Sequence, residues 1–253
     1  MNDVNILVDP NFSRHLFFIL WRQNELPMRV RELPHLDLIL ISHGHYDHLD
    51  RATMRRLPKQ TPVIAPFGLK RVLRWMGREN IIILGKWKKH RIGDVTVTAV
   101  PAEHFMGRPP LFPITGFQGY VIEGDATVYF AGDTGMFDEF NTIGRMWDID
   151  VALLPIGAYS PPSFRRHHMS PEDAIAAGRM LRARSIVPIH WGAFKLSLEP
   201  MREPLPRLKR AAEEEGLAAM VKILAPGQSL IVHGNRDARN VEVLPNASSD
   251  SKP

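Results

Sequence analysis

The sequence predicts an α/β fold, and three observations carry that reading. Apolar runs of four or five residues recur at 5–8, 38–42, 62–65, 81–84, 95–99, 119–122, 127–131, 151–155, 186–189 and 229–233. Segments with helical periodicity fall between these runs rather than after them, which is the pattern of strands alternating with helices. Several of the runs also end alike, with a histidine or an aspartate at the exit.

Taken in order, residues 5–8 read as a strand closing on Asp9-Pro10, and residues 11–36, which carry prolines and no sustained period, as irregular. Residues 38–42 are a buried strand. Asp50 is placed to cap a short helix that stops before Pro58. After a strand at 62–65, residues 67–76 set Leu69, Val72, Leu73 and Met76 on one face and Lys70, Arg71 and Arg74 on the other, a helix with a core-facing stripe. Ser170-Pro171-Glu172-Asp173 has the form of a helix start, with serine as cap, proline in the first position and acids in the first turn. That helix is expected to reach about residue 182. A strand then ends at His190, and a helix from about Pro204 stops at Gly216. From Gly234 the chain turns polar. The expected division is a domain over 1–235 and a polar tail over 236–253, disordered from Asn246 onward.

Composition narrows the chemistry. A chain of 253 residues with 44% apolar and 23% charged residues is ordinary for a globular protein. No apolar run approaches the roughly 18–20 residues that span a bilayer. The longest early one, Leu16-Phe17-Phe18-Ile19-Leu20-Trp21, lacks the layout of a signal peptide. A cytoplasmic location is the default expectation. Cysteine is absent, so any metal must be held by His, Asp or Glu. Net charge is +5, and the excess is local: residues 51–91 hold twelve Lys/Arg and one acid, Glu79. Such a stretch is either a solvated basic face or a surface that meets anionic material.

The densest feature is His43-Gly44-His45-Tyr46-Asp47-His48, three imidazoles and a carboxylate delivered by an apolar strand. These are ligands that Zn²⁺, Mn²⁺ and Fe²⁺ accept. His104, Asp133 and His190 end three later β-runs. If those strands share a direction, all of these side chains meet at one rim. Any one of them alone would be read as a hydrogen-bonded surface group; the density of the first cluster sets the group apart.

With these residues in view, the sequence resembles the metallo-β-lactamase-fold hydrolases. His43, His45, Asp47 and His48 match the family's H-x-H-x-D-H motif. The strings Pro101-Ala102-Glu103-His104, Tyr129-Phe130-Ala131-Gly132-Asp133, Leu154-Pro155-Ile156-Gly157-Ala158-Tyr159, Ile189-His190-Trp191-Gly192, Glu199-Pro200 and Glu203-Pro204 are similar to the branch containing N-acyl-phosphatidylethanolamine phospholipase D and lactonase-like enzymes. The resemblance implies a four-layer αββα sandwich and two zinc ions per chain, with Mn²⁺ or Fe²⁺ as substitutes. It assigns one ion to His43, His45 and His104, the other to Asp47, His48 and His190, and Asp133 to both. It further implies substrate contacts for Tyr46 and for His168, the latter beside a competing His167. Asp9 and Asp50 are candidates to orient the ligand imidazoles, although Asp50 also serves as the helix cap named above. Gly132 and Gly135 are expected to allow the turn that presents Asp133.

Two departures from the branch stand out. Its members carry two or three strands ahead of the equivalent of Asp9-Pro10, so the first sheet here is expected to lack edge strands; a short form, a mis-assigned start and a fragment all fit. An exposed sheet edge favours pairing, which puts a homo-oligomer among the expected states. The segment 105–117, which would line the site's mouth, also diverges. The resulting expectation is a zinc-dependent phosphodiesterase acting on a phospholipid-like substrate, through a hydroxide shared by the metals that attacks without a protein nucleophile. Residues 51–91 and the apolar patch at 17–21 would suit peripheral contact with an anionic inner membrane face. Lactone or carboxyl-ester hydrolysis and nucleic-acid cleavage compete within the same chemistry; nothing in the chain supplies the further domain nucleases of this fold carry. The non-enzymatic alternative is a degenerate anion-binding module.

Overall fold

The structure is a computed structural model and describes residues 1–108, 114–233 and 240–244. In chain order its elements are β1 (Ile6–Val8), β2 (His15–Leu16), β3 (Leu20–Trp21), β4 (Leu38–Leu40), α1 (Arg51–Arg56), β5 (Val63–Ala65), α2 (Leu69–Trp75) and β6 (Ile81–Ile83). There follow β7 (Lys89–Ile92), β8 (Val95–Val100), β9 (Gly119–Glu123), β10 (Thr127–Phe130), α3 (Glu139–Met146), β11 (Val151–Pro155), α4 (Pro171–Met180), β12 (Ser185–Ile189), α5 (Pro204–Glu214), β13 (Ser229–His233) and β14 (Asn240–Leu244).

Two sheets form the centre, one ordered β1-β4-β5-β6 and the other β12-β11-β10-β9-β8-β7. Side-chain alternation along the strands decides what each face meets. Leu38, Leu40 and Ile64 of the first sheet pack with Val95, Val97, Ala99, Tyr120 and Ile122 of the second, which makes the interface between sheets. The alternate residues Ile39, Ile41, Val63 and Ala65 face outward onto Met54, Leu69, Val72 and Leu73 of α1 and α2. On the far side, Val121, Tyr129, Ala152 and Leu154 pack on Phe140, Ile175 and Leu208 of α3, α4 and α5. The layers therefore run helix, sheet, sheet, helix, the expected αββα sandwich.

Strand direction positions the site. β10, β11 and β12 are mutually parallel. β8 and β10 each run antiparallel to β9 and hence parallel to one another. The exits of β8, β10 and β12 thus lie on one rim, followed by His104, Asp133 and His190. An antiparallel bridge between His43 and Phe117 joins the first sheet to the second there. The turn after β10 needs Gly132: φ is +63°, and a Cβ would sit 2.5 Å from Ser42 Cβ.

The sequence reading differs from the structure in four places. Residues 11–36 include a hairpin, in which His15 pairs with Trp21 and Leu16 with Leu20; its strands are too short to show a period. β7, Lys-His-Arg-Ile, is an edge strand whose basic, exposed residues gave no apolar signal, a composition that suits an edge. α3 buries Phe140 and Ile143 on a stripe too short to register as helical. Within the span read as a polar tail, β14 is a strand that pairs antiparallel with β13; its polar surroundings in the sequence gave no strand signal. The disorder expected from Asn246 falls outside the described residues.

Candidate metal centre

The rim brings together every histidine and aspartate that the motif implied as a ligand. His43 Nε2 lies 2.9 Å from His45 Nδ1, which lies 3.1 Å from His104 Nε2. Beside this triad, His48 Nε2 is 3.2 Å from Asp47 Oδ2 and 3.1 Å from Asp133 Oδ2. His190 Nε2 is 3.2 Å from the first carboxylate oxygen and 3.3 Å from the second. Asp133 Oδ2 also stands 3.9 Å from His43 Nε2, so it faces both groups. Within each group the ligand atoms lie within 4.8 Å of one another.

The surrounding hydrogen bonds settle which nitrogen faces inward. Asp9 accepts Ser42 N–H and the Ser42 hydroxyl, which leaves Ser42 Oγ to accept from His43 Nδ1 at 2.9 Å. Asp9 Oδ2 also takes His48 Nδ1–H at 2.8 Å. The carbonyl of His167 takes His104 Nδ1–H at 3.0 Å. With Nδ1 protonated and engaged outward, Nε2 of His43, His48 and His104 turns a lone pair into the site. Lone pairs then point at lone pairs, and His48 Nε2 points at two carboxylates without making a hydrogen bond. Asp133 Oδ1 is buried and equally unpartnered. Such an arrangement calls for a positive charge at its centre, and His nitrogens with carboxylate oxygens suit a borderline divalent cation. The residues present therefore fit a metal pair.

The electrostatics agree. Burial drives the pKa of His104 down to about 3; burial and the neighbouring His48 and His104 imidazoles drive that of His43 well below the usual range. Both rings stay neutral and available as ligands. Burial works against the Asp133 and Asp47 carboxylates, yet the imidazoles around them hold both pKa values well below normal. Burial opposes the charge on His48 too, but the Asp133 and Asp47 carboxylates raise its pKa well above normal, a measure of how strongly they favour positive charge at this spot.

Of the remaining candidates, Asp9 makes the imidazole contact expected of it. Asp50 does not: its Oδ2 accepts Thr53 N–H, the Thr53 hydroxyl and the Ser13 hydroxyl. The structure gives it the capping role, because the carboxylate turns toward the amides opening α1. His168, not His167, directs its ring inward. It is buried, stacks on His190 at 5.7 Å and holds Nδ1 3.8 Å from Asp133 Oδ2; burial brings its pKa to about 4. The Tyr46 ring meets Phe17 edge-on at 4.5 Å and carries the Arg108 guanidinium 3.8 Å over its face. His190 itself holds a left-handed backbone, φ +55°, a costly conformation for a residue with a Cβ.

Three contributors escaped sequence reasoning. Ser42 stands next to a ligand at a strand exit, a signal that could have been used. The His167 carbonyl leaves no trace in a side-chain pattern. Arg108 lies in the divergent 105–117 segment, of which 109–113 are outside the described residues; its buried NH1 donates to Gly44 O at 2.7 Å and Leu49 O at 2.8 Å, tying together the two ends of the ligand loop.

Comparison with known proteins agrees with this geometry. A family profile described as a beta-lactamase superfamily domain matches residues 4–191. An uncharacterized protein of Mycobacterium tuberculosis is 36% identical over 211 residues, 80% of this chain and 56% of its own length; the chain thus spans little more than half of that relative. A UPF0173 metal-dependent hydrolase of Rubrobacter xylanophilus is 32% identical, with 89% of this chain and 88% of that protein aligned. An N-acyl-phosphatidylethanolamine-hydrolyzing phospholipase D of Caenorhabditis elegans is also 32% identical, over 85% of this chain and 67% of its own. Among solved structures, a metallo hydrolase from the archaeon Ignicoccus hospitalis shares the fold with a TM-score of 0.66 at 24% identity, covering 97% of this chain and 92% of that one. The profile spans most of the chain, and the rim it includes carries the whole ligand set: the chain belongs to the beta-lactamase superfamily domain family, among relatives named as metal-dependent hydrolases.

Proposed function

We propose that the chain is a metal-dependent hydrolase of phosphodiesters, phospholipid-like in class, working with two zinc ions. His43, His45 and His104 would hold one ion, Asp47, His48 and His190 the other, with Asp133 between them. The observation that carries this reading is the position of Asp133 Oδ2, within 3.9 Å of His43 Nε2, 3.1 Å of His48 Nε2 and 3.3 Å of His190 Nε2. The ions would supply a Lewis acid for the phosphoryl oxygen and lower the pKa of a water shared between them.

The chain's own residues do the rest. Asp9, Ser42 and the His167 carbonyl hold the ligand imidazoles in one tautomer and orientation. His168, neutral at physiological pH, is placed beside Asp133 to give an N–H hydrogen bond to the phosphate or to the departing oxygen. Tyr46, held between Phe17 and Arg108, stands in the ligand loop where a substrate oxygen would approach. The choice of phosphodiester over lactone is supported by relatives at 32% identity, in C. elegans and in yeast, named as N-acyl-phosphatidylethanolamine-hydrolyzing phospholipases D.

The test is a turnover screen of zinc-loaded protein against bis(p-nitrophenyl) phosphate, N-acyl-phosphatidylethanolamine, a lactone series and short RNA. Preferred cleavage of the first two, lost in His45→Ala, is expected. Preference for lactones or RNA would overturn the substrate class; tight metal binding with no hydrolysis at all would overturn the enzyme.

A further inference from the structure

The hairpin formed by β2 and β3 combines two unfavourable choices in one place. Its tip exposes Phe17 (55%), Phe18 (82%), Ile19 (74%) and Trp21 (59%) consecutively enough to make one apolar patch. Phe17 and Phe18 also hold left-handed backbones, φ +51° and +62°, positions that glycine or asparagine normally fill in short hairpin loops. Neither choice helps the hairpin fold in water, and contiguous exposed apolar surface marks an interaction site.

The patch is continuous with the metal centre. Phe17 packs edge-on against Tyr46 inside the ligand loop. On another side of the same centre, Phe105 lies 4.5 Å from both the His45 and the His104 rings, and it is exposed together with Met106. The mouth is thus flanked by apolar side chains, Phe105 against two of the candidate ligands and Phe17 against the tyrosine between them.

Basic residues gather beside the hairpin. Residues 10–24 hold Arg14 and Arg22 and no acid. Ser13, at the hairpin's base, hydrogen-bonds to Asp50, the cap of α1, so the hairpin stands beside the start of the basic 51–91 stretch. Arg55, Arg56, Lys70, Arg71 and Arg74 there are exposed, and Arg51 lies over the half-exposed Trp75 at 3.9 Å. Among the described residues no helix is long and apolar enough to cross a membrane, so contact with lipid would be made from the surface.

We propose that the hairpin tip and the Phe105–Met106 edge form a docking face for an anionic phospholipid surface, which seats the mouth of the metal centre against the headgroups. Aromatic and aliphatic tips enter the acyl boundary while arginines and lysines meet the phosphates, each contributing where the other cannot. The substrate would then be drawn from the aggregate rather than from solution. This deepens the phosphodiesterase reading, but docking is measured without turnover.

The experiment is flotation of the metal-loaded full chain with phosphatidylcholine vesicles, with and without phosphatidylglycerol, alongside turnover of soluble bis(p-nitrophenyl) phosphate. The wild type is expected to float with the anionic vesicles, less so at high salt. The double variant Phe18→Ser/Ile19→Ser, which changes only exposed residues outside the site, is expected to bind at least about tenfold more weakly while cleaving the soluble diester at the wild-type rate. A wild type that stays in solution with both vesicle types, or a variant that binds as well as it does, would overturn the proposal. So would a wild-type dimer dissolved by the double variant in light scattering without vesicle binding, which would assign the face to a second copy. Vesicle binding without any diester cleavage would sink the chemical reading and leave the docking face standing.

Discussion

Arg78 and Arg108 are each 2% exposed, and both aim their guanidinium at backbone carbonyls. Arg78 gathers four of them, Met54 O, Leu57 O, Pro58 O and Thr61 O, at 2.7–3.3 Å. It closes off the end of α1, where helical carbonyls run out of partners. Arg108 gathers Gly44 O and Leu49 O and lays its plane on Tyr46. The same side chain in the same depth of burial therefore does two jobs. In the turn leading to β5 it satisfies a terminus that many folds must satisfy somehow. In the ligand loop it fixes the span that sets where His45, Asp47 and His48 stand. A buried cation becomes part of a site through what its acceptors carry.

The largest effect should come from removing what the loop is held for. Asp133→Asn keeps the shape and deletes the charge facing both groups. It should release bound metal from both positions on dialysis and lower diester turnover by at least about a thousandfold; retained stoichiometry by elemental analysis would mean that Asp133 is not shared. The comparison itself is sharpened by the two arginines. Arg78→Met should cost about 3 kcal/mol in urea unfolding, because four carbonyls lose their partner in a buried place, with metal content per folded chain unchanged. Arg108→Met should weaken metal affinity or turnover by about 10–100-fold, with a smaller stability loss of roughly 1–2 kcal/mol, and Arg108→Lys should recover part of the affinity. If the two methionine variants lose stability alike and both keep their metal, Arg108 is no more a part of the site than Arg78.

The smallest effect belongs to an arginine at the surface. Arg207 of α5 pairs bidentately with Glu172 of α4 at 2.9 and 2.7 Å. Partial burial pushes the Glu172 carboxyl up, but the Arg207 hydrogen bonds outweigh it and bring it below the ordinary 4.5. A depressed carboxylate pKa means stabilisation that is complete above the unfolded value and lost as pH falls through the folded one. Since the Glu172 side chain is 39% exposed, Glu172→Gln should cost no more than about 1 kcal/mol at pH 7. The gap to wild type in thermal melts should close in acid; a gap that widens there would contradict the assignment.

Much of this architecture is legible in the sequence, for physical reasons. Strands such as Val95–Val100 and Val151–Pro155 are apolar because both faces are covered, so their identity survives in one dimension. The ligands of the 43–48 loop are adjacent in sequence, and His104, Asp133 and His190 each follow a strand whose direction the topology then makes common. What stayed hidden was either polar by position or tertiary by nature. β7 is an edge strand made of Lys89, His90 and Arg91, and the hairpin at 15–21 is defined by two pairs of residues. The His167 carbonyl and the reach of Arg108 across more than fifty residues to Gly44 and Leu49 depend on a packing that no local pattern encodes. Asp50 shows the converse: a sequence motif allowed it two roles, and the geometry of the α1 terminus selected one.

The proposed chemistry requires two cations sharing Asp133, and anomalous diffraction from zinc-loaded crystals tests this directly. Two peaks are predicted, roughly 3.5–4 Å apart, one among His43, His45 and His104 and the other among Asp47, His48 and His190, with the Asp133 carboxylate reaching both. A single peak, or peaks away from these seven side chains, would contradict it.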